Sequence, residues 1–550
     1  MTILTVDRKE LEKRVGKITP ELEGKITDMG TPVEELTESE LSVEVFPNRP
    51  DLLSLQNFAR AVNQFQEKEK VVSFTVNKPE KDYVVTVDKS VKKVRPYTVC
   101  AIVKSLKFDD AKIKEIIDIQ EKLHNSLGRK RRKVAIGIYP LEKIKLPIRF
   151  IAKKPSEIKF LPLESKKEMT GAQILRGHPT GREYAHLLEG MEVYPIFVDA
   201  NDKVLSMPPI INSEETGRIT ESTKEIFIEC SGHNLFYLKK CINIIVAALS
   251  DMGGKIYAME IKDSKDGNFT SPNLSPEEMP FDIKDIEKTL GIKLSEKEVK
   301  RYLERMGIGY EERKSKSVAI VPAYRTDILH WIDLTEEIAI AYGYQNFEAE
   351  IPEISTIAYE NPRAKLKRNI STVLSGLGLL ETSSFHITTK KNVRKMHHEF
   401  NEFIELEESK TERDVLRMDM MTTLLQIFSE NSDSAYPQRI FEMGPVFALD
   451  KTGTSETGIL EEERLALAFA DEKVNYTELK QTLDYLFKML DLKYEVENSE
   501  NGNYIPGRVA KIKIDGKDAG YIGEIAPRVL KNWKIKVPVV ALEINLNLVA

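Results

Sequence analysis

Asp327, Asp333, Glu336 and Glu337 place four carboxylates within eleven residues, inside the stretch Arg325 to Phe347. Carboxylates are hard oxygen donors, and an oxygen-only set suits Mg²⁺ rather than zinc. From Asp333 onward, Leu334, Ile338, Ala341 and Tyr342 recur at three- and four-residue steps, which predicts a helix. On that helix Asp333, Glu336 and Glu337 share the arc opposite the apolar flank, and a loop carrying Asp327 could fold back toward it. Acidic residues also favour the first turn of any helix, where they face the positive end of its dipole. Spacing alone leaves both readings open, the acidic turn being the commoner one.

The elements that would position these carboxylates belong to a long chain. At 550 residues it exceeds what one core supports, so three to five domains are expected. A composition of 41% hydrophobic and 31% charged residues is that of a soluble globular protein. No run of 18 apolar residues offers a membrane span. The opening MTILTVDRKELEKRV has neither the apolar core nor the cleavage site of a signal peptide. Cys100, Cys230 and Cys241 are scattered and form no CxxC pair, so no disulfide framework or zinc knuckle is indicated and a reducing cytoplasm is expected. A net charge of −6 argues against indiscriminate coating of nucleic acid. The basic run Arg129 to Lys133 reads as a solvated turn before an RNA contact.

Four blocks follow from the pattern. Residues 1–90 open with helices, then the alternating strand Leu41 to Phe46, then a turn at Pro47 to Asp51 whose aspartate can cap a helix Leu52 to Phe65. Residues 91–270 mix strands (Tyr97–Val103, Val134–Tyr139, Ile148–Ala152, Lys255–Glu260) with helices Lys112–Leu127 and Asn234–Met252. His124, His178, His186 and His233 match no metal-ligand spacing, and no Gly-x-Ser-x-Gly elbow accompanies them, so they read as structural histidines. A polar linker, 262–280, leads to residues 275–350: two helices, two strands and the acidic helix. A second linker, 348–362, precedes residues 360–550, with several strands, a strand–turn–strand at Gln438 to Phe447, and helix Thr477–Leu490.

Several segments carry a resemblance. Arg-Thr-Asp-Ile followed by Asp-Leu-x-Glu-Glu-Ile and Tyr-Gly-Tyr, and Asn48-Arg-Pro-Asp-Leu-Leu53, are similar to signatures of the phenylalanine–tRNA ligase β-subunit family. Gln120 to His124, Ala135 to Tyr139, His178 to Ala185 and Leu205 to Ser213 resemble that family's central editing domain. Residues 275–350 resemble its winged-helix-like module. The last block resembles the antiparallel core of class II aminoacyl-tRNA synthetases. An active core of that class places an arginine two residues before the glutamate of its hairpin, to hold the ATP α-phosphate. Glu442 is present here, but Ile440 stands where the arginine would, and Arg439 would point to the opposite face. Isoleucine cannot stabilise a transferring adenylyl group.

The resemblance implies an α+β multidomain chain: an N-terminal α/β domain, an editing-type α/β domain, a winged-helix-like module and an inactive class II-like core. It implies the short archaeal/eukaryotic-type form, a cytoplasmic α₂β₂ tetramer with the ligase α subunit, and ATP-dependent attachment of phenylalanine to tRNA(Phe) by the complex. Mg²⁺ at Asp327, Asp333, Glu336 and Glu337 beside the α subunit is implied too. The editing domain would hydrolyse tyrosine mis-attached to that tRNA, with Leu205, Ser213 and Asn234 as candidate residues. An aspartate is usual in short-form relatives where Asn234 stands. Such a second site is needed because an apolar pocket cannot strongly reject a ring carrying one extra hydroxyl. The alternatives are a non-enzymatic tRNA-interacting or assembly protein and a free-standing aminoacyl-tRNA hydrolase.

Overall fold

The structure, a computed structural model, describes residues 2–263, 267–313, 316–407 and 409–549. The chain divides into two units, residues 1–351 and 352–550. The first three expected blocks lie in the first unit; the fourth lies in the second.

In the first unit, strands Thr2–Asp7, Glu40–Val45 and Val33–Leu36 form an antiparallel sheet with Glu40–Val45 in the middle. A mixed eleven-stranded sheet follows. Its most buried part sets Ile226–Gly232 between Tyr97–Lys104 and Val134–Pro140, antiparallel to both. A third sheet, with Lys316–Val321 between Glu277–Phe281 and Gly309–Arg313, carries the helices Ile283–Leu290, Glu296–Arg305 and Trp331–Tyr342. The linker expected at 262–280 is therefore partly strand. Phe269–Ser271 pairs with Lys255–Asp263, and Glu277–Phe281 joins the small sheet. Residues 264–266 of that linker lie outside the described residues.

Helix Leu55–Phe65 is the hub of this unit. Its cap is Ser54, which accepts from the Asn57 amide, while Asp51 sits in the preceding 3₁₀ turn Pro50–Leu52 and is taken by Arg49. Phe58, Ala59 and Val62 bury one face, as their spacing predicts, but Gln56, Asn57, Arg60 and Gln64 are buried as well. Each polar side chain has a partner: Asn57 donates to the Ile244 carbonyl, Gln64 to the Lys70 carbonyl, Gln56 to Glu115, and Arg60 to Asp251. Arg60 also lies over the rings of Phe74 and Tyr324. One apolar cluster runs from Leu4 through Phe58 and Leu238 to Tyr324 and Ala341, so residues of the three blocks share a core.

In the second unit a seven-stranded sheet runs in the order Leu380–Glu381, Gln438–Leu449, Ile459–Ala470, Val539–Asn545, Lys517–Ile525, Tyr504–Ile514, Glu495–Asn498. The first pair is parallel and the rest antiparallel. Helices Pro362–Gly376 and Tyr476–Met489 pack on the face of Leu465, Leu467 and Leu542; helices Met421–Glu430 and Pro527–Trp533 pack on the other. The strand–turn–strand expected at Gln438 to Phe447 is a single strand, paired with Ile459–Ala470 through Gly444 and Pro445 without a turn. Its other neighbour pairs only at Ile440 and Phe441, so Pro445 lies along an edge where no ladder bond needs its missing N–H.

Candidate functional site

The middle strand Ile226–Gly232 carries Glu229 in a run that is otherwise apolar up to Cys230. Its register partner on one side is Gly137. A Cβ at Gly137 would stand 2.5 Å from Glu229 Oε1 and 2.2 Å from the Tyr139 hydroxyl, so the missing side chain is what admits the carboxyl. Glu229 lines a cavity of about 400 Å³ whose walls include Ile116, Ile136, Ile138 and Ile210 and whose polar groups include Asn212, Arg131 and His178. That size falls in the range of small-molecule pockets.

The Tyr139 hydroxyl lies 3.3 Å from Glu229 Oε1 and 3.4 Å from Asn212 Oδ1. Glu229 Oε2 has no hydrogen-bond partner among the described residues. Burial pushes the Glu229 carboxyl up to about 8 against the opposing charge of Arg95, so it is largely protonated at neutral pH. A neutral carboxylic acid can donate as well as accept.

Arg131, from the basic run, turns inward: it donates to the Ile210 carbonyl at 2.8 Å and to Glu121 at 2.9 Å and lies over the Tyr184 ring. His124 is structural. Its Nε2 accepts the Ile136 amide at 2.8 Å, Nδ1 faces Glu121, and burial lowers its pKa. His178 places Nε2 3.2 Å from the Leu163 carbonyl, while its buried Nδ1 has no partner among the described residues.

None of the three residues expected from the resemblance lies on the walls of this cavity. Leu205 is fully buried beside Tyr139 and Phe227, and its carbonyl accepts the Ser213 amide. Ser213, buried, precedes the short helix Glu214–Gly217 and follows the lining residue Asn212. Asn234 is exposed and caps helix Leu235–Asp251, accepting the Phe236 amide at 2.9 Å. Sequence reading missed Glu229, although a lone acid inside an apolar strand was its visible signal.

The four carboxylates of the acidic helix do not face one another. Arg325, 2% exposed, donates Nε and Nη2 to Asp327 at 2.9 and 2.8 Å, and Nη2 also lies 2.9 Å from Glu337 Oε2. Burial would raise the Asp327 pKa, but Arg325 and Arg49 outweigh it and hold the carboxyl at about 2. For Glu337 burial wins over the same arginines, and its pKa is raised. Asp333 Oδ2 accepts the amides of Leu329 and His330 at 2.7 and 2.8 Å, completing the cap of Trp331–Tyr342. Glu336 points to solvent. The arc expected to hold Asp333, Glu336 and Glu337 together is thus split by Arg325. Among the described residues no group of three or more His, Cys, Asp or Glu is arranged to hold a metal ion. A Mg²⁺ bound by all four would have to displace Arg325, so the set does not fit the ion as a single shell.

In the second unit Glu442 is spent on structure. It accepts Arg417 Nη1 at 2.7 Å, the Ser384 amide at 3.0 Å and the Ser384 hydroxyl at 2.6 Å. Arg417, the guanidinium that holds Glu442, is 1% exposed and its Nε donates to the Pro445 carbonyl. Gly444 leaves its room: a Cβ there would stand 2.4 Å from Arg417 Nη2. Ile440 joins the apolar cluster, and Arg439 points to the opposite face, where it pairs with Glu478.

Three family models match, in one order: the B3/4 domain over residues 80–240, the tRNA synthetase B5 domain over 279–344, and the phenylalanyl tRNA synthetase beta chain CLM domain over 348–546. The chain is 40% identical over 503 residues to the phenylalanine–tRNA ligase beta subunit of Pyrococcus abyssi, covering 91% of this chain and 89% of that one. To the beta subunit of Archaeoglobus fulgidus it is 34% identical over 553 residues, covering 100% and 98%. The crystal structure of an N-terminal fragment of the phenylalanyl-tRNA synthetase beta subunit from Pyrococcus horikoshii is similar, with a TM-score of 0.59 and 37% identity over 62% of this chain and 99% of the fragment. Among the described residues no helix is long and apolar enough to cross a membrane. The chain belongs to the phenylalanine–tRNA ligase β-subunit family, in its archaeal type.

Proposed function

We propose that this chain is the non-activating, editing subunit of a cytoplasmic phenylalanine–tRNA ligase. With an α-type partner in an α₂β₂ tetramer, the complex attaches phenylalanine to tRNA(Phe) using ATP, and this chain helps to place the tRNA and hydrolyses tyrosine mis-attached to it. Residues 91–270 serve as the editing domain, 275–350 as a winged-helix-like module, and 360–550 as a class II-like core without adenylation chemistry.

The observation that carries the editing reading is the unpartnered Oε2 of Glu229 in the wall of this cavity. A protonated Glu229 donates to the oxygen of a tyrosyl hydroxyl, and Asn212 Oδ1 can accept that hydroxyl's proton. A phenylalanyl ring leaves Glu229 Oε2 buried and unpaired, and a site built on such pairing rejects the analogue lacking the hydroxyl. The exposed apolar residues Ile351, Ile354, Ile357 and Tyr359 are consistent with a surface that a partner covers. ATP and its Mg²⁺ are used at the partner's site. On this chain Asp333 and Glu336 are the acidic-helix carboxylates that Arg325 does not hold, so these two would be the ones to meet a shared Mg²⁺.

The test is deacylation of tyrosyl-tRNA(Phe) and phenylalanyl-tRNA(Phe) by the assembled complex. Tyrosyl-tRNA is hydrolysed and phenylalanyl-tRNA spared, and Glu229→Ala slows the first at least tenfold, roughly the cost of one lost buried hydrogen bond. Unchanged tyrosyl-tRNA hydrolysis by Glu229→Ala contradicts the assignment.

A further inference from the structure

The second unit holds a cavity of about 410 Å³ that the reading above does not use. Arg464, Glu543 and Tyr521 reach it from three neighbouring strands, and His397 and Asp419 from the loops that flank the helices on that face. Its charged groups are ordered by mutual contacts. His397 Nε2 lies 2.9 Å from an Asp419 carboxylate oxygen, and its Nδ1 lies 3.0 Å from the Asn503 side-chain nitrogen. Asp419 also accepts the Thr422 amide at 2.6 Å. Glu543 accepts the amides of Met420 and Met421 and Arg464 Nη1 at 2.9 Å. Arg464 Nη2 bonds Glu462 at 2.6 Å, and Lys511 bonds Asp518 at 2.8 Å.

The balance of charge is negative. Four carboxylates, Asp419, Glu462, Asp518 and Glu543, line the cavity against the permanent cations Arg464 and Lys511, and a protonated His397 would still leave an excess of acid. A second observation is independent of that count. Tyr504 is only 5% exposed, its hydroxyl has no hydrogen-bond partner among the described residues, and the charges bearing on it are those of Glu543 and Asp419. A hydroxyl without a protein partner on the wall of a carboxylate-lined cavity is free to pair with a bound donor.

The geometry points to a binding site for a small primary ammonium compound of amino-acid size, its –NH₃⁺ donating to the Tyr504 oxygen and to the carboxylates of Asp419 and Glu543. An ammonium group brings three donors and one charge, which answers both the orphaned hydroxyl and the acidic excess. The volume is that of a small-molecule pocket.

Calorimetric titration of the full chain at neutral pH with 1,4-diaminobutane, and separately with succinate, tests the site. The diamine binds saturably with one equivalent and succinate does not. Tyr504→Phe, which removes only the hydroxyl, weakens the diamine about tenfold, the value of one hydrogen bond to a charged group. Lys511→Gln, which removes a partly exposed cation from the lining, tightens it; if Tyr504→Phe fails to fold by circular dichroism, this variant decides. No saturable binding of the diamine at millimolar concentration, binding of succinate in its place, or an affinity unchanged in a folded variant overturns the proposal.

Discussion

A single proton on Glu229 separates a hydroxyl-reading cavity from an ordinary buried acid. Its folded pKa, about 8, stands above the ordinary 4.5 because burial disfavours the charged form. Between those values the folded chain keeps a proton that the unfolded chain has released, so the contribution to stability is full below the lower value and is lost as pH rises through the upper one. Glu229→Gln cannot ionise. Chemical denaturation from pH 5 to pH 9 should show a flatter decline for the glutamine variant than for the wild type; parallel curves would mean that Glu229 is ionised throughout. At the acidic helix, neighbours in sequence differ in consequence. Glu337→Ala leaves Arg325 buried with half its carboxylate partners and should cost about 3 kcal/mol, whereas exposed Glu336→Ala should stay within about 0.5 kcal/mol. Equal losses in denaturant melts would contradict the split that Arg325 imposes. Glu336→Ala should instead weaken assembly with an α-type partner, read by light scattering.

Elements with strong local signals were legible in the chain. Ser295 caps helix Glu296–Arg305 and Glu298 closes the capping box, as that spacing predicts, and strands Tyr97–Lys104 and Val134–Pro140 fall where the apolar runs stand. What failed depended on partners distant in sequence. Gly444-Pro445 looks like a turn until the strand beyond it is seen to pair with Ile440 and Phe441 alone. Phe269–Ser271 is hidden by polar neighbours because only pairing with Met259 to Ile261 makes it a strand. Asp333, Glu336 and Glu337 were likewise placed correctly on one helix with Asp327 before it, but the arginine that divides them comes from that preceding loop. Strand register now gives a prediction of its own. Gly137→Ala puts a methyl against Tyr139 and Glu229, which should cost about 2 kcal/mol and suppress tyrosyl-tRNA hydrolysis. Undiminished stability and hydrolysis would show that the cavity floor is not formed by this pairing.

Across the whole molecule the chemistry is divided. The first unit keeps a cavity with a half-satisfied acid, while the second keeps a sheet whose Glu442 and Arg417 satisfy one another and whose Ile440 is buried hydrocarbon where the class II resemblance implies an arginine. That division was partly readable in the chain, since Ile440 and the position of Arg439 are one-residue facts. The closing of Glu442 by Arg417 was not, because 24 residues of intervening chain separate them. The most direct measurement is phenylalanine-dependent exchange of labelled pyrophosphate into ATP by the pure, isolated chain in the presence of Mg²⁺. No exchange above background is expected at any protein concentration, with activity appearing only on addition of an α-type partner. Exchange by the isolated chain that Arg417→Ala abolishes would show that the second sheet still handles nucleotide.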